Sequence, residues 1–210
     1  MNSVIYRDLV KADYEDIKNL IDEAFEFNKW IEDKSFLNTM LDLYLQSCIL
    51  DSSFAKVAEK NNAVIGIILG SAKKDKKRLR KFHNILNSCC SVFKLLFTRK
   101  QNKKAIKSFL EIDKTYKELI SGKKDEFQGC VQLFIMSEKY RGLGVGKKLL
   151  GQLFNYMNDM EVNSLYLYTD NRCNYGFYDS QGFKRVSEKE ITFDIFKANL
   201  DVFLYSYDFV

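Results

Sequence analysis

Three glycines stand close together in the second half of the chain, between an apolar run and a lysine-rich amphipathic segment. The apolar run covers residues 130–136, and the glycines follow in the text Arg141-Gly142-Leu143-Gly144-Val145-Gly146-Lys147. Glycines let the backbone curl so that successive N–H groups point into one concavity, and the N-terminus of a following helix adds the positive end of its dipole. This spacing therefore predicts a strand, a phosphate-binding loop and a helix.

Two nucleotide-binding motifs fit this loop poorly. A P-loop requires four residues between its two glycines and a hydroxyl after the lysine, whereas Gly142 and Gly146 are one residue too close and Lys148 replaces the hydroxyl. The dinucleotide-binding turn G-x-G-x-x-G begins correctly, but Lys147 takes the place of its third glycine. Asp170 imitates the ribose-binding acid of that motif, yet no βαβ repetition precedes it.

A third pattern, R-x-x-G-x-G, is matched in full by Arg141, Gly144 and Gly146. At this point the chain resembles the GNAT superfamily of N-acyltransferases, which use acyl-coenzyme A. In that family a strand follows the glycine helix, and a later helix carries the text Tyr-x-x-x-Gly-Phe. Here Tyr178 begins that text and Phe183 ends it.

The resemblance implies a mixed α/β (α+β) fold of GNAT type. A central twisted sheet, mixed but mostly antiparallel, is flanked by helices, and residues 1–210 form a single N-acetyltransferase domain. Residues 57–66 resemble the second and third strands of the family. Residues 73–124 are then a helical insert between strands 3 and 4.

The resemblance also implies roles for individual residues. The loop N–H groups hold the CoA pyrophosphate, with Arg141 and Lys147 adding charge, and the backbone N–H near Ile135 polarises the thioester carbonyl. Tyr178 matches the general acid of the family, which protonates the departing thiolate. Asn171 contacts CoA or caps the helix, and its spacing of seven residues from Tyr178 predicts one shared helix face. The residues expected to bind acetyl-CoA are Phe134, Ile135, Met136, Arg141, Gly142, Leu143, Gly144, Val145, Gly146, Lys147, Asn171 and Tyr178.

The general base of the reaction is not apparent in the sequence. Many relatives carry a glutamate near the start of the strand before the loop, whereas this chain has Gly129-Cys130-Val131-Gln132 there. Asp113, Asp125, Glu126 or a chain of waters is left to accept the proton of the amine.

Histidine and cysteine usage limits the chemistry. His83 is the only histidine, and the five cysteines form no C-x-x-C pair, so we expect neither a metal site nor a disulfide framework. Cys130 and Cys173 raise the alternative of a covalent acetyl-cysteine. Direct attack by the amine is preferred, because cysteine is often only a small buried residue.

Composition points to a water-soluble protein: 46% of the residues are hydrophobic and 29% are charged. No apolar run reaches the roughly 18 residues of a membrane span, and residues 1–8 do not resemble a signal peptide. We therefore expect a cytoplasmic protein without an integral membrane segment. Charge is uneven, since Lys73 to Lys104 holds twelve Lys or Arg and one acid while the remainder is net acidic. This distribution argues against a nucleic-acid-binding protein.

Periodicity predicts the remaining elements. We expect a strand at 4–7, helices at 13–27, 36–50, 145–157 and 173–180, and strands at 54–59, 63–70, 130–136 and 164–169. The chain end reads as three strands, at 182–186, 191–196 and 202–209. Within the insert, helical spacing appears at 85–97 and 106–120.

The basic insert admits several interpretations. It is a solvated lid packed on the core, or it binds an anionic acceptor, the 3′-phosphate of CoA or acidic lipid headgroups.

The sequence therefore predicts an acetyltransferase without a metal, which transfers acetyl from acetyl-CoA to a primary amine of a small molecule in a ternary complex. Two alternatives stay open: a protein or peptide N-acetyltransferase, and a non-catalytic acetyl-CoA sensor. The oligomeric state, monomer or homodimer, is also open.

Overall fold

The computed structural model describes residues 3–29, 31–76, 79, 100–193 and 198–209. Seven strands and five helices account for most of this part of the chain. No helix within it is long and apolar enough to cross a membrane. The elements are, in chain order, β1 (Ile5–Asp8), α1 (Tyr14–Phe25), α2 (Lys34–Leu50), β2 (Phe54–Lys60), β3 (Ala63–Ala72), α3 (Lys100–Leu119), β4 (Gly129–Met136), α4 (Val145–Asp159), β5 (Ser164–Asp170), α5 (Gly176–Ser180), β6 (Lys184–Phe193) and β7 (Ala198–Asp208).

The strands form one sheet in the order β1-β2-β3-β4-β5-β7-β6. Neighbouring strands are antiparallel except β4 and β5, which run parallel. The predicted mixed, mostly antiparallel sheet flanked by helices is confirmed. The single parallel pair lies at the centre, where two strand ends face the same edge of the sheet.

Each face of the sheet is covered by helices whose apolar residues recur at helical spacing. On one face α4 buries Leu149, Leu150, Leu153 and Met157 completely or nearly so. On the other face α1 and α2 pack on β2, β3 and β4. Burial of such side chains stabilises the fold by roughly 1.5–3 kcal/mol each.

Polar residues set one end of each helix on the second face. Asp33 caps α2, because its Oδ1 accepts hydrogen bonds from the N–H groups of Ser35 and Phe36, both at 3.1 Å. Helix α1 ends at Phe25 rather than at the predicted Phe27, because Glu26 has a left-handed backbone with φ of 55°. These ends place Phe25 and Phe27 at one end of the central strands.

The insert contributes one helix to the described structure. The predicted segment 106–120 is part of α3, which begins earlier, at Lys100. The predicted segment 85–97 lies outside the described residues. Helix α3 packs against β6 and β7, and its apolar face joins a core cluster with Phe127 and Leu200. The described part of the insert is therefore packed on the core.

Two predictions about the end of the chain are wrong. In place of separate strands at 182–186 and 191–196, one strand, β6, runs from Lys184 to Phe193, and a bulge between Arg185 and Ser187 lets its pairing with β7 continue. Residues 194–196 of the second expected strand lie outside the described residues. The expected helix at 173–180 begins only at Gly176. The residues before it form a turn, in which Asp170 Oδ1 accepts from the N–H groups of Arg172 and Cys173.

Candidate active site

The parallel strands β4 and β5 separate soon after they meet. Their pairing is confined to Gly129 with Leu165 and Cys130 with Tyr166, although β4 continues to Met136 and β5 to Asp170. A cleft of about 1290 Å³ occupies the gap and extends over the glycine loop and the ends of α1 and α5. Along the gap, the backbone of each strand lacks its partner on one side, so a bound molecule can pair with it.

The glycine loop ends at the N-terminus of α4. Gly142 and Gly144 have φ of 76° and 75°. In this left-handed conformation a residue with a side chain would be strained. Gly144 is also the N-cap of the helix. Among the described residues, no group accepts a hydrogen bond from the N–H groups of residues 142–147, whereas Lys148 N–H donates to Gly144 O at 3.1 Å. Six neighbouring N–H groups are therefore available to an anion, beside the positive end of the helix dipole.

Two cations border the loop within the cleft, Arg141 and Lys147. Arg141 forms an exposed ion pair with Glu138, in which the Nη1–Oε1 distance is 3.0 Å. The next lysine, Lys148, lies over the ring of Tyr6 at 4.5 Å instead. The anion-binding end of the cleft thus carries positive charge beyond that of the backbone.

The register of β4 decides which backbone groups face the gap. Ser137 N–H donates to Ile65 O of β3 at 2.9 Å, and Ile135 lies opposite Ile67 two residues earlier. Antiparallel pairs alternate between hydrogen-bonded and non-hydrogen-bonded, so the backbone groups of Ile135 also face β3. The predicted use of the Ile135 N–H is therefore wrong, and the N–H groups of Phe134 and Met136 face the gap.

Tyr178 lies on α5 and lines the cleft opposite these strand residues. Its ring is 6.4 Å from that of Phe134 and 5.5 Å from that of Phe183, both nearly edge to face. Within the described chain, its hydroxyl has no hydrogen-bond partner. Burial, with smaller contributions from Cys173 and Asp170, raises the pKa of Tyr178 above its ordinary value of 10.0. The phenol therefore stays protonated at physiological pH.

Comparison with known families identifies the chain. The signature of the Acetyltransferase (GNAT) family matches residues 14–183, from α1 to the residue before β6. The chain belongs to this family. It is therefore an acetyltransferase, and acetyl-CoA is the donor that the family uses.

Solved structures share the fold of this GNAT acetyltransferase at low sequence identity. PH1933 from Pyrococcus horikoshii OT3 is 16% identical with a TM-score of 0.61, and 99% of each chain is covered. YncA from Salmonella typhimurium, solved with its cofactor acetyl-CoA, is 15% identical with a TM-score of 0.57, covering 99% of this chain and 94% of that one. A ribosomal-protein-alanine N-acetyltransferase from Brucella melitensis is 16% identical with a TM-score of 0.56, covering 98% and 99%. A search of curated proteins finds no significant match to this sequence.

Asn171 does not share a helix face with Tyr178 in this acetyltransferase, because α5 begins after it. Its side-chain N–H donates to Asp201 Oδ2 at 2.9 Å, and it does not line the cleft. Asn174 lines the cleft instead, four residues before Tyr178 and in the turn that leads into α5. The sequence held this signal, since both asparagines stand in the same short stretch, but the start of the helix was needed to choose between them.

The cysteines of the acetyltransferase are poor nucleophiles. Burial raises the pKa of the Cys130 and Cys173 thiols to about 12 each. Moreover, Cys130 lies at the paired end of β4, six residues before Met136, which is roughly 20 Å along a strand. Both observations disfavour the covalent route. No three described His, Cys, Asp or Glu residues are grouped as metal ligands.

The carboxylates of the cleft differ from those that the sequence suggests as bases. Asp113 lines the cleft but is ion-paired with Lys117, whereas Asp125 and Glu126 lie outside it. Glu23 of α1 also lines the cleft, although it is not among the bases that the sequence suggests. Its Oε1 accepts from Glu138 N–H at 2.9 Å and from Ser137 Oγ at 3.4 Å. These bonds place a carboxylate at the end of β4, next to Met136.

Proposed function

We propose that the protein transfers the acetyl group of acetyl-CoA to the primary amine of a small molecule, by direct attack in a ternary complex. The observation that carries this proposal is the opening of β4 from β5, with strand N–H groups on one side and the Tyr178 phenol on the other. We further propose a cytoplasmic location, to which the unpaired, buried Cys48 and Cys130 are suited.

The donor half of the cleft supports binding of CoA. The N–H groups of residues 142–147 hold the pyrophosphate at the start of α4, and Arg141 and Lys147 lie beside it. The pantetheine arm then runs along the gap, where Phe134 and Met136 offer backbone groups as a neighbouring strand would. Asn174 borders the same path from the turn before α5.

The chemistry follows from this placement. The neutral amine attacks the thioester carbonyl carbon, and a strand N–H, from Phe134 or Met136, stabilises the oxyanion that forms. The carbon–sulfur bond then breaks, and the CoA thiolate takes the proton of the Tyr178 phenol. Before the attack, Glu23 takes a proton from the ammonium form of the amine, directly or through a water. As the amide forms, the nitrogen loses a second proton, which restores the Tyr178 phenol, so the products are an amide, free CoA and one proton that Glu23 releases to solvent.

Glu23 is proposed as the base because of its position. It is hydrogen-bonded to the two residues that follow Met136, so it lies at the end of the strand that holds the thioester. Both of its donors are neutral, and the carboxylate therefore keeps its negative charge for an incoming amine. It replaces the strand glutamate that many relatives carry.

A protein N-terminus is the second candidate acceptor. The relative from Brucella melitensis bears the name of a ribosomal-protein-alanine N-acetyltransferase. Helix α3 encloses the cleft. This enclosure favours a small molecule over a peptide as the acceptor.

Release of free CoA thiol from acetyl-CoA, measured across a panel of amines and short peptides, tests the proposal. We expect turnover with at least one small amine and intersecting lines in double-reciprocal plots, as a ternary complex requires. Parallel lines would indicate an acetyl-enzyme, and turnover confined to peptides would select the second candidate. Tight binding of acetyl-CoA without turnover on any amine would refute catalysis.

A further inference from the structure

The insert helix α3 contacts both sides of the opened sheet. Near its start, Ile106 and Phe109 pack against Ile31, Phe36 and Met40, which belong to α2 and the loop before it. Near its end, residues 112–119 pack against β5, β6 and β7. Helix α3 therefore spans the gap between β4 and β5 on the face covered by α1 and α2. It closes the acceptor half of the cleft with residues that are extra to the minimal fold.

Aromatic rings make up much of this half of the cleft. Phe27 meets Phe109 of α3 edge to face, with ring centroids 5.2 Å apart. Tyr116 of α3 is stacked on Tyr168 of β5 at 4.1 Å with an angle of 6° between the planes. Six rings line this half of the cleft and are together called the aromatic wall. They belong to Phe25, Phe27, Tyr44, Phe109, Tyr116 and Tyr168.

The phenols of the aromatic wall carry no charge, and one of them is already hydrogen-bonded. Tyr168 donates its hydroxyl to the backbone oxygen of Tyr116 at 2.8 Å. Burial raises the pKa of Tyr44, Tyr116 and Tyr168 above the ordinary value, so all three stay neutral. The ring carbons that dominate this surface offer no hydrogen-bond partners to the many hydroxyl groups of a sugar or polyol, whereas an apolar body needs none.

Charge on this side favours a cation. Lys117 is neutralised by Asp113, and Glu26 by Lys29. Glu23 is bonded to neutral donors, so within the described part of the chain a carboxylate without an ion-pair partner borders the aromatic wall. An ammonium ion is attracted both by this carboxylate and by the faces of nearby rings.

We propose that the acceptor is a primary amine carried on an apolar body, either an aromatic ring or an alkyl chain, that lies against the aromatic wall. This inference rests on the proposed acetyltransferase reaction and specifies its substrate class. The amine points toward Glu23 and the thioester, and the apolar body contacts the aromatic wall.

A homologous series of amines measures this preference. With propylamine, butylamine, hexylamine and octylamine of similar basicity, we expect kcat/KM to rise roughly threefold to fourfold per methylene that enters the cleft, which is the effect of about 0.8 kcal/mol. Phenethylamine should exceed ethanolamine by at least tenfold. A flat or falling series, or faster turnover of peptides than of every apolar amine, overturns the inference while leaving acetyl transfer intact.

Failure of the proposed reaction would be a separate outcome. If no amine is acetylated, calorimetric titration with N-acetylphenethylamine still probes the aromatic wall. Saturable binding that is at least tenfold tighter than that of N-acetylethanolamine supports the apolar site, and equal or undetectable binding of the two overturns it.

Two neighbouring residues of α3 form a matched pair of variants. In Phe109→Ala we expect the ratio of kcat/KM for octylamine over propylamine to fall by about tenfold or more, because a ring of the aromatic wall is lost. Leu110 is 64% exposed on the same helix, so Leu110→Ala should leave this ratio within twofold of wild type. An equal change in the two variants would show that the helix as a whole, rather than the wall, sets the preference.

Discussion

The backbone N–H of Ser137 donates to the carbonyl oxygen of Ile65 at 2.9 Å, just beyond the end of β4. Through the alternation of an antiparallel pair, this bond turns Ile135 toward β3 and leaves Phe134 and Met136 directed at the gap. The strand therefore presents two N–H groups to the cleft, two and four residues before the 3₁₀ turn at Glu138–Tyr140 that precedes the loop. The same strand thus holds the sheet together on one side and offers its backbone groups to the cleft on the other.

Proline substitution separates these two sides. Met136→Pro removes an N–H that faces the gap, without removing a bond to β3, so we expect a folded protein whose kcat/KM falls at least tenfold. Met136→Ala is the control for the lost side chain, and thermal unfolding checks the fold of both. Ile135→Pro removes a ladder bond and should instead unfold the protein. If Met136→Pro matches Met136→Ala in turnover, the Met136 N–H has no part in catalysis.

The difference between Ile135 and Met136 also shows what the sequence can reveal about this site. The positions of Gly142, Gly144 and Tyr178 were predictable, because left-handed turns demand particular residue types and a motif spacing locates the phenol. The strand register was not predictable. The groups that face the gap belong to the backbone, and three apolar residues in a row do not indicate which N–H groups point toward β3 and which toward the gap.

The acceptor half was hidden for a different reason. Glu23 and Phe109 are more than 80 residues apart in the chain, and only the packing of α1 and α3 around the gap places them in one cleft. Helix periodicity predicts that Phe109 is half-buried, but it does not say what the ring faces. Long-range packing of this kind leaves no local signal in a single sequence.

Removal of the Tyr178 hydroxyl should abolish most turnover without loss of donor binding. Tyr178→Phe keeps the ring contacts to Phe134 and Phe183, so the fold and acetyl-CoA affinity should change little, while kcat falls by roughly 10²-fold or more. Tyr175→Phe is the matched control, since Tyr175 packs against Phe203 and does not line the cleft. Equal losses in the two variants would exclude a special role for Tyr178.

The pH profile provides an independent test of the same residue. Tyr178 acts in its protonated form, and burial raises its pKa above the ordinary 10.0. The fall in kcat that results from deprotonation of Tyr178 must therefore begin above about pH 10. Stopped-flow thiol release at saturating amine should therefore show no fall in kcat between pH 8 and pH 9.5. An alkaline fall centred near pH 8 would assign the acid to another group.

Substitution of the loop glycine Gly144 should weaken donor binding. Alanine in its left-handed conformation costs on the order of 1–2 kcal/mol and misdirects the N–H groups beside it, so acetyl-CoA affinity should drop by at least tenfold in Gly144→Ala. Gly122→Ala serves as the control, because Gly122 has φ of 77° with open space around it and lies outside the cleft. It should lose similar stability and keep its affinity for acetyl-CoA in calorimetry.

Gly146→Ala distinguishes strain from contact within the same loop. Gly146 is not left-handed, and an added Cβ would meet Phe134 at 3.4 Å, an ordinary van der Waals distance. The loss of affinity should therefore be smaller than in Gly144→Ala. A larger loss in Gly146→Ala would mean that space at the helix start, rather than loop conformation, limits CoA binding.

Neutralising Glu23 tests the proposed base. Glu23→Gln keeps an oxygen that accepts from Glu138 N–H and Ser137 Oγ, so the local structure should survive while the proton acceptor is lost. We expect kcat at pH 7 to fall by roughly 10²-fold with little change in acetyl-CoA affinity. Because free amine can then form only by deprotonation in solution, the rate of the variant should climb toward that of wild type as the pH approaches the pKa of the amine.

The neighbouring Glu26 makes this test specific. Glu26 borders the same cleft, but its carboxylate is paired with Lys29, so Glu26→Gln should retain most of the turnover at pH 7. If Glu23→Gln behaves like Glu26→Gln, a chain of waters rather than Glu23 removes the proton. If both variants lose activity equally and neither recovers at high pH, the carboxylates act by attracting the ammonium ion, and the loss should then appear in KM for the amine instead of in kcat.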